Sequence, residues 1–286
     1  MATDTSTTNF GPKGFRTLER LGIGTVFEVA RVEDAAGREL ICKRATRARF
    51  ALALDRERDV LQAAKGAALP ELVASGTDAR GGFLVETRAR GTPLRELIDG
   101  RAPPGAAQWM ELARASARAL AALHAFCDGR GSLRLVHGDI SPDNLFFEPP
   151  ATVTFIDFSS ATWREASKPA LEGDRGTVPY AAPELVRQEV HATAETDTYA
   201  LAATLLAVAV GPPLVRANTE AARLHEAATE GVLWKRIDER GDLPLAFRSA
   251  LAEALQYEQA LRLASSRDLA ARLGAFSGSE GPTESS

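Results

Sequence analysis

The stretch VHGDISPDNLFF, residues 136–147, places two aspartates, an asparagine and a histidine between apolar flanks. Its LFF and the following VTFID have strand composition, and a hairpin of the two would bring Asn144 and Asp157 side by side. An amide oxygen beside a carboxylate suits Mg²⁺, which retains waters and shares phosphate oxygens. Asp139, one loop away, could accept a proton from a hydroxyl nucleophile. This layout is typical of phosphoryl transfer, although Asp, Asn, Ser and Pro are also ordinary turn residues.

The composition is that of a globular protein. The chain has 286 residues, of which 45% are hydrophobic and 25% charged, enough for one large domain or two joined lobes. A net charge of −4 gives no reason to expect a nucleic acid partner. Cys42 and Cys127 are too few for a disulfide framework and lie in no metal-binding pattern, which favours a cytoplasmic protein.

No segment of the sequence predicts a membrane partner. The N-terminus lacks the apolar core of a signal peptide. The most apolar run, YALAATLLAVAV at 199–210, has 12 residues and stops at a Gly-Pro-Pro sequence. That length is short for a membrane span and predicts a buried core helix.

Composition changes along the chain predict two folded regions between disordered ends. We expect disorder at 1–13 and 277–286, which are rich in Thr, Ser, Gly and Pro. Strand patterns dominate residues 15–45 and return at 83–87, with a helical pattern at 49–64 between them, whereas helical patterns dominate after Pro93. A β-rich part followed by a larger α-rich part implies two lobes.

A glycine-bearing hairpin and a strand lysine lie in the first region. Gly22 and Gly24 in LGIGTVFEV would let backbone N–H groups approach phosphates, although hairpins often contain glycine anyway. Lys43 is one of only five lysines and lies in the apolar context ELICKRA. A lysine so placed needs a counter-charge, and Glu57 on the following helix is the candidate, unless it is simply a solvated residue.

These segments together resemble the eukaryotic-type (Hanks-type) Ser/Thr protein kinase family, from about Phe15 to Leu273. Three further segments resemble that family: GTVPYAAPE at 176–184, DTYALA at 197–202 and the region around Arg262. The resemblance implies an α+β, bilobal protein-kinase-like fold, with a small β-rich N-lobe and a larger helical C-lobe. We expect the N-lobe at 14–86, a hinge at 87–92 and the C-lobe at 93–276.

The resemblance also implies ATP and Mg²⁺ as cofactors and assigns the catalytic roles. Asp139 would be the catalytic base, Asn144 and Asp157 would hold Mg²⁺, and Lys43, oriented by Glu57, would contact the α- and β-phosphates. The ATP-binding residues implied in this way are Gly22, Gly24, Val29, Ile41, Lys43, Val85, Glu86, Arg88 and Phe146. Among these, Glu86 and Arg88 would present backbone groups to adenine.

Other matching residues are expected to be structural or to receive substrate. His137 and Phe158 would belong to an internal hydrophobic spine, and His124 would be a packed helix residue. Glu184 would pair with Arg262, and Asp197 would be the aspartate of a central helix. Thr177 would contact Asp139, which favours Ser/Thr over Tyr specificity.

The chain departs from the family pattern at several positions. The family's arginine before the catalytic Asp is Gly138, so activation by loop phosphorylation is not expected. The lysine that steadies the γ-phosphate is Ser141, and the glycine after Asp157-Phe158 is Ser159. Phe27 replaces the third loop glycine. Ile41 and Phe146 add bulk on the two sides of the adenine slot, which would weaken nucleotide binding or alter the pose of the nucleotide.

Three functions remain open at this point. The first is an active Ser/Thr protein kinase with a protein substrate and a regulatory partner protein. The second is a pseudokinase that binds partners without phosphoryl transfer. The third is a small-molecule kinase of the aminoglycoside-phosphotransferase type, which the HGD and PDN sequences also resemble. The expected phosphoacceptors are Ser159, Ser160, Thr162, Ser167 and Thr177.

Overall fold

The computed structural model divides the chain into two compact units, one ending at Ala89 and one beginning at Arg90. The boundary falls inside the segment 87–92. The structure describes residues 10–24, 26–65, 68–100, 103–164, 175–263 and 265–274. The first unit is built on a β-sheet and the second is mainly helical, which confirms the predicted α+β fold.

Within its described residues, the first unit contains a five-stranded antiparallel sheet and one α-helix. The strand order is β1-β2-β3-β5-β4. Its elements are β1 (Arg16–Ile23), β2 (Phe27–Glu33), β3 (Glu39–Ala45), a 3-10 turn (Ala48–Phe50), α1 (Ala51–Ala63), β4 (Leu72–Asp78) and β5 (Gly81–Thr87). The tight turn between β2 and β3 is closed by Asp34, whose carboxylate accepts hydrogen bonds from the backbone of Ala36 and Arg38.

The two faces of this sheet are covered differently. Side chains alternate along a strand, so Leu40 and Cys42 of β3 point to one face while Ile41 and Lys43 point to the other. Leu40 and Cys42 belong to a buried apolar cluster that Phe10 completes. Burial raises the pKa of the Cys42 thiol to about 12. The opposite face carries the Lys43 ammonium and meets α1.

The expected disorder at 1–13 is wrong for its last residues. Phe10 is fully buried, and the backbone N–H groups of Phe10 and Gly11 both donate to Thr17 Oγ1. The guanidinium of Arg44, itself buried, donates to the Phe10 carbonyl. Burial of an aromatic side chain against an open sheet face stabilises the folded chain. A prediction of disorder from composition does not include this contribution. Residues 1–9 and the tail from 275 lie outside the described residues.

The second unit is mainly helical. Its helices are α2 (Leu94–Asp99), α3 (Ala106–His124), α4 (Pro183–Val186), α5 (Ala194–Val210), α6 (Glu220–Thr229), α7 (Leu245–Ala254) and α8 (Ser266–Arg272), with 3-10 turns at Trp234–Glu239 and Gln259–Leu261. Its short strands are β6 (Thr92–Pro93), β7 (Cys127–Asp128), β8 (Gly131–Ser132), β9 (Leu145–Glu148) and β10 (Thr152–Phe155).

Helix α5 is the buried centre of this unit, as its apolar sequence predicted. Its residues from Thr196 to Ala209 are all buried. Thr193 caps its N-terminus in a reciprocal bond with Thr196. The indole N–H of Trp109 in α3 donates to the Leu205 carbonyl, so the largest buried side chain of α3 is tied directly to α5. Among the described residues no helix is long and apolar enough to cross a membrane.

The hairpin predicted from LFF and VTFID is confirmed. Strands β9 and β10 pair antiparallel, with Leu145 opposite Phe155. Beyond that pair, the backbone N–H of Ile156 donates to the Asn144 carbonyl at 3.0 Å. The hairpin therefore holds Asn144 next to the residue that precedes Asp157.

Candidate active site

Lys43 lies in a buried cluster of three charges in the first unit. Its Nζ is 2.6 Å from Glu57 Oε1 on α1 and 2.9 Å from Glu86 Oε1 on β5. The side chains of Lys43, Glu57 and Glu86 are 5%, 0% and 3% exposed. The predicted Lys43–Glu57 contact is therefore present, and the contact with Glu86 was not predicted.

The sheet register explains why Glu86 reaches Lys43. Ile41 is opposite Glu86 and Lys43 is opposite Leu84, so these four side chains share one face of the sheet. The signal in the sequence was an acidic residue inside the apolar strand FLVET. We had expected the Glu86 backbone to face a purine. Because β5 is paired with both β3 and β4 at Glu86, the backbone of this residue lies inside the sheet. The part of Glu86 on the lysine face is its carboxylate, which contacts Lys43.

The other residues predicted to surround the nucleotide divide between the two faces. Val29 is opposite Lys43 on β2 and, like Ile41, is half-buried on the lysine face. Val85 points the other way, into the apolar cluster with Phe10, so its side chain does not line the lysine face. Arg88 is exposed and lies one residue beyond β5.

The glycine hairpin has no internal need for its glycines. A Cβ on Gly22 would have nothing within 4 Å, and a Cβ on Gly24 would be 3.4 Å from the Phe27 carbonyl, an ordinary contact. Neither glycine has the positive φ that favours this residue. Space left beside a backbone in this way is what close approach by a ligand requires. Phe27, at the third glycine position, is buried and therefore packed within the unit.

In the second unit, Asp139 is held by two donors from different parts of the chain. Thr177 Oγ1 donates to Asp139 Oδ1 at 2.7 Å, and Asn144 Nδ2 donates to Asp139 Oδ2 at 3.3 Å. Asn144 Nδ2 also donates to the Asp139 carbonyl at 2.9 Å. The predicted Thr177–Asp139 contact is thus present. Asp139 remains half-buried, so its carboxylate is fixed in direction without being fully enclosed.

Asn144 and Asp157 suit a small hard cation. Since both hydrogen bonds of Asn144 use its Nδ2, its Oδ1 is the side-chain atom left to bind a metal. Asp157 has φ +63, a left-handed conformation that Asp tolerates, and its Oδ1 accepts from the Ser159 N–H. The described residues contain no group of three His, Cys, Asp or Glu side chains able to hold a metal. Two oxygen ligands fit Mg²⁺ only if water and phosphate complete the shell.

Asp197 fixes the backbone of the loop that carries Asp139. Its two carboxylate oxygens accept the backbone N–H groups of His137 at 2.7 Å and Gly138 at 2.9 Å. His124 Nε2 donates to the same carboxylate at 3.0 Å. The sequence predicted only that His124 packs within its helix. Nothing in the sequence near His124 indicated its hydrogen bond to Asp197. The bonds from His137 and Gly138 to Asp197 fix the two residues that precede Asp139.

The contacts of His137 lie within the protein, which fits the structural role predicted for it. Its Nδ1 accepts the Asp139 N–H and its Nε2 donates to the Ile156 carbonyl, an arrangement that requires the neutral ring. The ring is fully buried and packs against Phe158, with 4.7 Å between the ring centroids. Both ring nitrogens are hydrogen-bonded within the protein, which favours a structural role for His137.

Two departures from the family pattern have clear structural counterparts. Gly138 has φ +83, and a Cβ there would lie 2.5 Å from the Ser160 carbonyl oxygen, so this backbone has no room for an arginine. Ser141 is 1% exposed, and its hydroxyl has no hydrogen-bond partner within the described part of the chain. A lysine at that position would therefore begin in a buried environment. Phe146, by contrast, is half-buried in β9.

The predicted Glu184–Arg262 pair is present. Arg262 donates to both Glu184 oxygens, at 2.5 and 2.9 Å, and both side chains are buried. The guanidinium also lies over the Tyr199 ring of α5, with 4.7 Å to its centroid.

The expected phosphoacceptors differ in accessibility. Ser159 and Ser160 are buried, which argues against their modification in this conformation. Thr162 and Thr177 are half-buried, and Ser167 lies outside the described residues.

Comparison with known proteins gives a family match and two curated relatives. The protein kinase domain family matches residues 15–270. The serine/threonine-protein kinase AfsK of Streptomyces griseus is 28% identical over 271 residues, which cover 91% of this chain and 31% of that protein. The serine/threonine-protein kinase TIO of Arabidopsis thaliana is 27% identical over 179 residues, 63% of this chain and 13% of its own length. The chain thus spans less than a third of either relative.

Proposed function

The chain belongs to the protein kinase domain family, and we propose that it transfers the γ-phosphate of ATP to Ser or Thr hydroxyls of a protein substrate. The observation that carries this proposal is the geometry at Asp139, whose carboxylate is held by the Thr177 hydroxyl and the Asn144 amide. A fixed, half-buried carboxylate suits a general base for an alcohol. The two curated relatives, both named as serine/threonine-protein kinases, support the same acceptor chemistry.

Each of these residues has a separate role in the proposed reaction. Asp139 orients the substrate hydroxyl and takes its proton as the oxygen attacks the γ-phosphorus and the bond to the β-phosphate oxygen breaks. Lys43 contributes positive charge to the α- and β-phosphates, and Gly22 and Gly24 leave room for backbone N–H groups to approach them. Asn144 and Asp157 would hold Mg²⁺, which when bound neutralises phosphate charge.

Asp139→Asn tests the proposal. Purified wild type and variant are incubated with γ-labelled ATP, Mg²⁺ and a generic protein substrate. Because the amide cannot accept the proton, we expect transfer to fall by about 10²-fold or more while the unfolding midpoint stays close to wild type. The matched control is Asp143→Asn in the same loop, since Asp143 is exposed and its carboxylate pairs with Arg95. Equal labelling by wild type and Asp139→Asn would contradict the assignment.

One observation favours a second candidate, a pseudokinase that binds partners without transfer. Lys43 already contacts two carboxylates, which weakens its attraction for phosphate. The buried Ser141, where the family has a lysine, removes another positive charge. Under this alternative neither wild type nor Asp139→Asn transfers label. A panel of aminoglycosides and sugars in the same assay tests the small-molecule kinase.

A further inference from the structure

A chain of hydrogen bonds joins three helices of the second unit. The Oγ of Ser266, the first residue of α8, is 2.8 Å from Nδ1 of His124, the last residue of α3. Nε2 of the same ring is 3.0 Å from the Asp197 carboxylate on α5. Asp197 in turn accepts two backbone N–H groups of the loop that carries Asp139. The chain of bonds therefore runs from α8 to the backbone of that loop.

The Asp197 carboxylate determines the direction of the hydrogen bonds in this chain. An ionised carboxylate can only accept, so Nε2 of His124 is the nitrogen that carries a proton toward it. In the neutral ring Nδ1 is then an acceptor, and the Ser266 hydroxyl donates to it. The hydroxyl thus favours the tautomer and the ring orientation that direct an N–H at Asp197.

The three side chains of this chain of bonds lie away from water. Ser266 is 2% exposed, and the side chains of His124 and Asp197 are 10% and 2% exposed. Because solvent does not replace a hydrogen bond lost at a buried site, the remaining partner is left unsatisfied. Without the Ser266 hydroxyl, the His124 ring would lose the bond that fixes its tautomer. The other tautomer has no proton on Nε2 to direct at Asp197.

Helix α8 is held on the unit by contacts other than this hydroxyl. Leu269 and Leu273 are fully buried. The side chain of Arg114 on α3 donates to the Leu273 carbonyl at 3.0 Å. Loss of the Ser266 hydroxyl should therefore leave α8 in place and act on the orientation of His124.

We propose that Ser266 is a positioning residue, which acts through His124 and Asp197 on the loop that carries Asp139. The inference rests on the proposed function, in which Asp139 is the base that orients the substrate hydroxyl. Misplacement of a reacting group by about 1 Å can cost about 10²-fold in rate, so a looser loop lowers kcat. ATP is bound, in the proposed function, by residues outside this chain of bonds, so its KM changes little.

The test measures kcat and the KM for ATP in wild type, Ser266→Ala, His124→Phe and the double variant Ser266→Ala/His124→Phe. We expect Ser266→Ala to lower kcat about tenfold and to change KM by less than about twofold. Because the hydroxyl acts through the ring, the double variant should be no slower than His124→Phe. The matched control is Ser116→Ala, which should keep the wild-type kcat. Ser116 is fully buried on α3, and its hydroxyl has no hydrogen-bond partner within the described residues.

Amide hydrogen exchange tests the inference independently of activity. The N–H groups of His137 and Gly138 are the ones that bond to α5. They should exchange faster in Ser266→Ala than in wild type or Ser116→Ala. Amides in the core of α5 should keep their rates, because only a general loss of stability would make those exchange faster as well.

The outcomes separate this inference from the proposed function. If wild type transfers label and Ser266→Ala has the same kcat as Ser116→Ala, the inference is wrong and the kinase assignment stands. If Ser266→Ala slows wild type and His124→Phe by the same factor, the hydroxyl acts by another route and the inference is overturned. If His124→Phe does not fold, the kcat of Ser266→Ala against that of Ser116→Ala decides.

If wild type transfers no label, the proposed function fails and hydrogen exchange decides the inference. Faster exchange at His137 and Gly138 in Ser266→Ala, with unchanged exchange in the core of α5, supports the action of Ser266 on the loop. Exchange equal to that of wild type at both amides overturns it.

Discussion

Gly138 shows how one residue fixes the backbone of the loop that carries Asp139. Its φ of +83 lies in the region that side chains rarely adopt, and a Cβ would meet the Ser160 carbonyl oxygen at 2.5 Å. Its N–H is one of the two that bond Asp197. The positive φ, the close approach of Ser160 and the bond to Asp197 together favour glycine at this position.

Gly138→Ala should destabilise the protein by about 1–3 kcal/mol or more. The left-handed conformation and the contact with Ser160 both disfavour a side chain here. Denaturant unfolding measures the loss. The matched control is Gly129→Ala, since a Cβ on Gly129 has nothing within 4 Å and that residue has no positive φ. A Gly138→Ala variant as stable as Gly129→Ala would show that the loop can relax around a methyl group.

Several candidate site residues could be predicted from the sequence, and some of their contacts could not. Asp139 and Asn144 lie in one short loop whose residue types already indicate phosphate chemistry. The carboxylate of Glu86 reaches Lys43 only through the register of β3 with β5, which a single sequence does not determine. The bond of His124 to Asp197 joins residues 73 positions apart and has no local signal.

The Glu184–Arg262 pair joins α4 to the segment before α8. Besides Glu184, Arg262 donates to the carbonyls of Gln256 and Tyr257, so its guanidinium holds a turn as well as a carboxylate. Both side chains are under about a tenth exposed, at 3% and 6%. Removal of the arginine would leave a buried carboxylate without its counter-charge.

Arg262→Met should therefore cost about 3–5 kcal/mol, as expected when one partner of a buried pair is lost. The double variant Glu184→Gln/Arg262→Met should recover part of that stability because it buries no lone charge. Arg272→Met is the control: Arg272 pairs with Glu253 at the surface, where such pairs contribute up to about 1 kcal/mol. Equal unfolding midpoints for Arg262→Met and Arg272→Met would contradict this account.

At the scale of elements, the sequence was most informative where hydrophobic pattern and turn chemistry agree. The β9–β10 hairpin and the buried helix α5 both followed from apolar runs and their boundaries. The burial of Phe10 did not follow, because a single aromatic residue in a polar segment gives no periodic signal. The free energy gained by burying Phe10 depends on a sheet face that is formed by residues 20 to 75 positions away.

At the scale of the whole molecule, charge is distributed as arginine–carboxylate pairs. In five carboxyl groups a hydrogen bond from an arginine side chain is the main cause that holds the pKa below its ordinary value. They are Asp78, Asp128, Glu189, Glu239 and Asp242. These pairs lie in both units, so their protonation affects the stability of each.

Acid should therefore destabilise the protein. Because the pKa of each of these carboxyls is lower in the folded chain, the unfolded chain binds protons first as the pH falls. Their stabilisation is present above the ordinary pKa values of 3.8 for Asp and 4.5 for Glu and is lost as the pH falls below them. We expect a lower urea midpoint at pH 3 than at pH 6, with a smaller difference in about 1 M salt, which screens exposed pairs. Equal midpoints at the two pH values would mean that these ion pairs contribute nothing to folding.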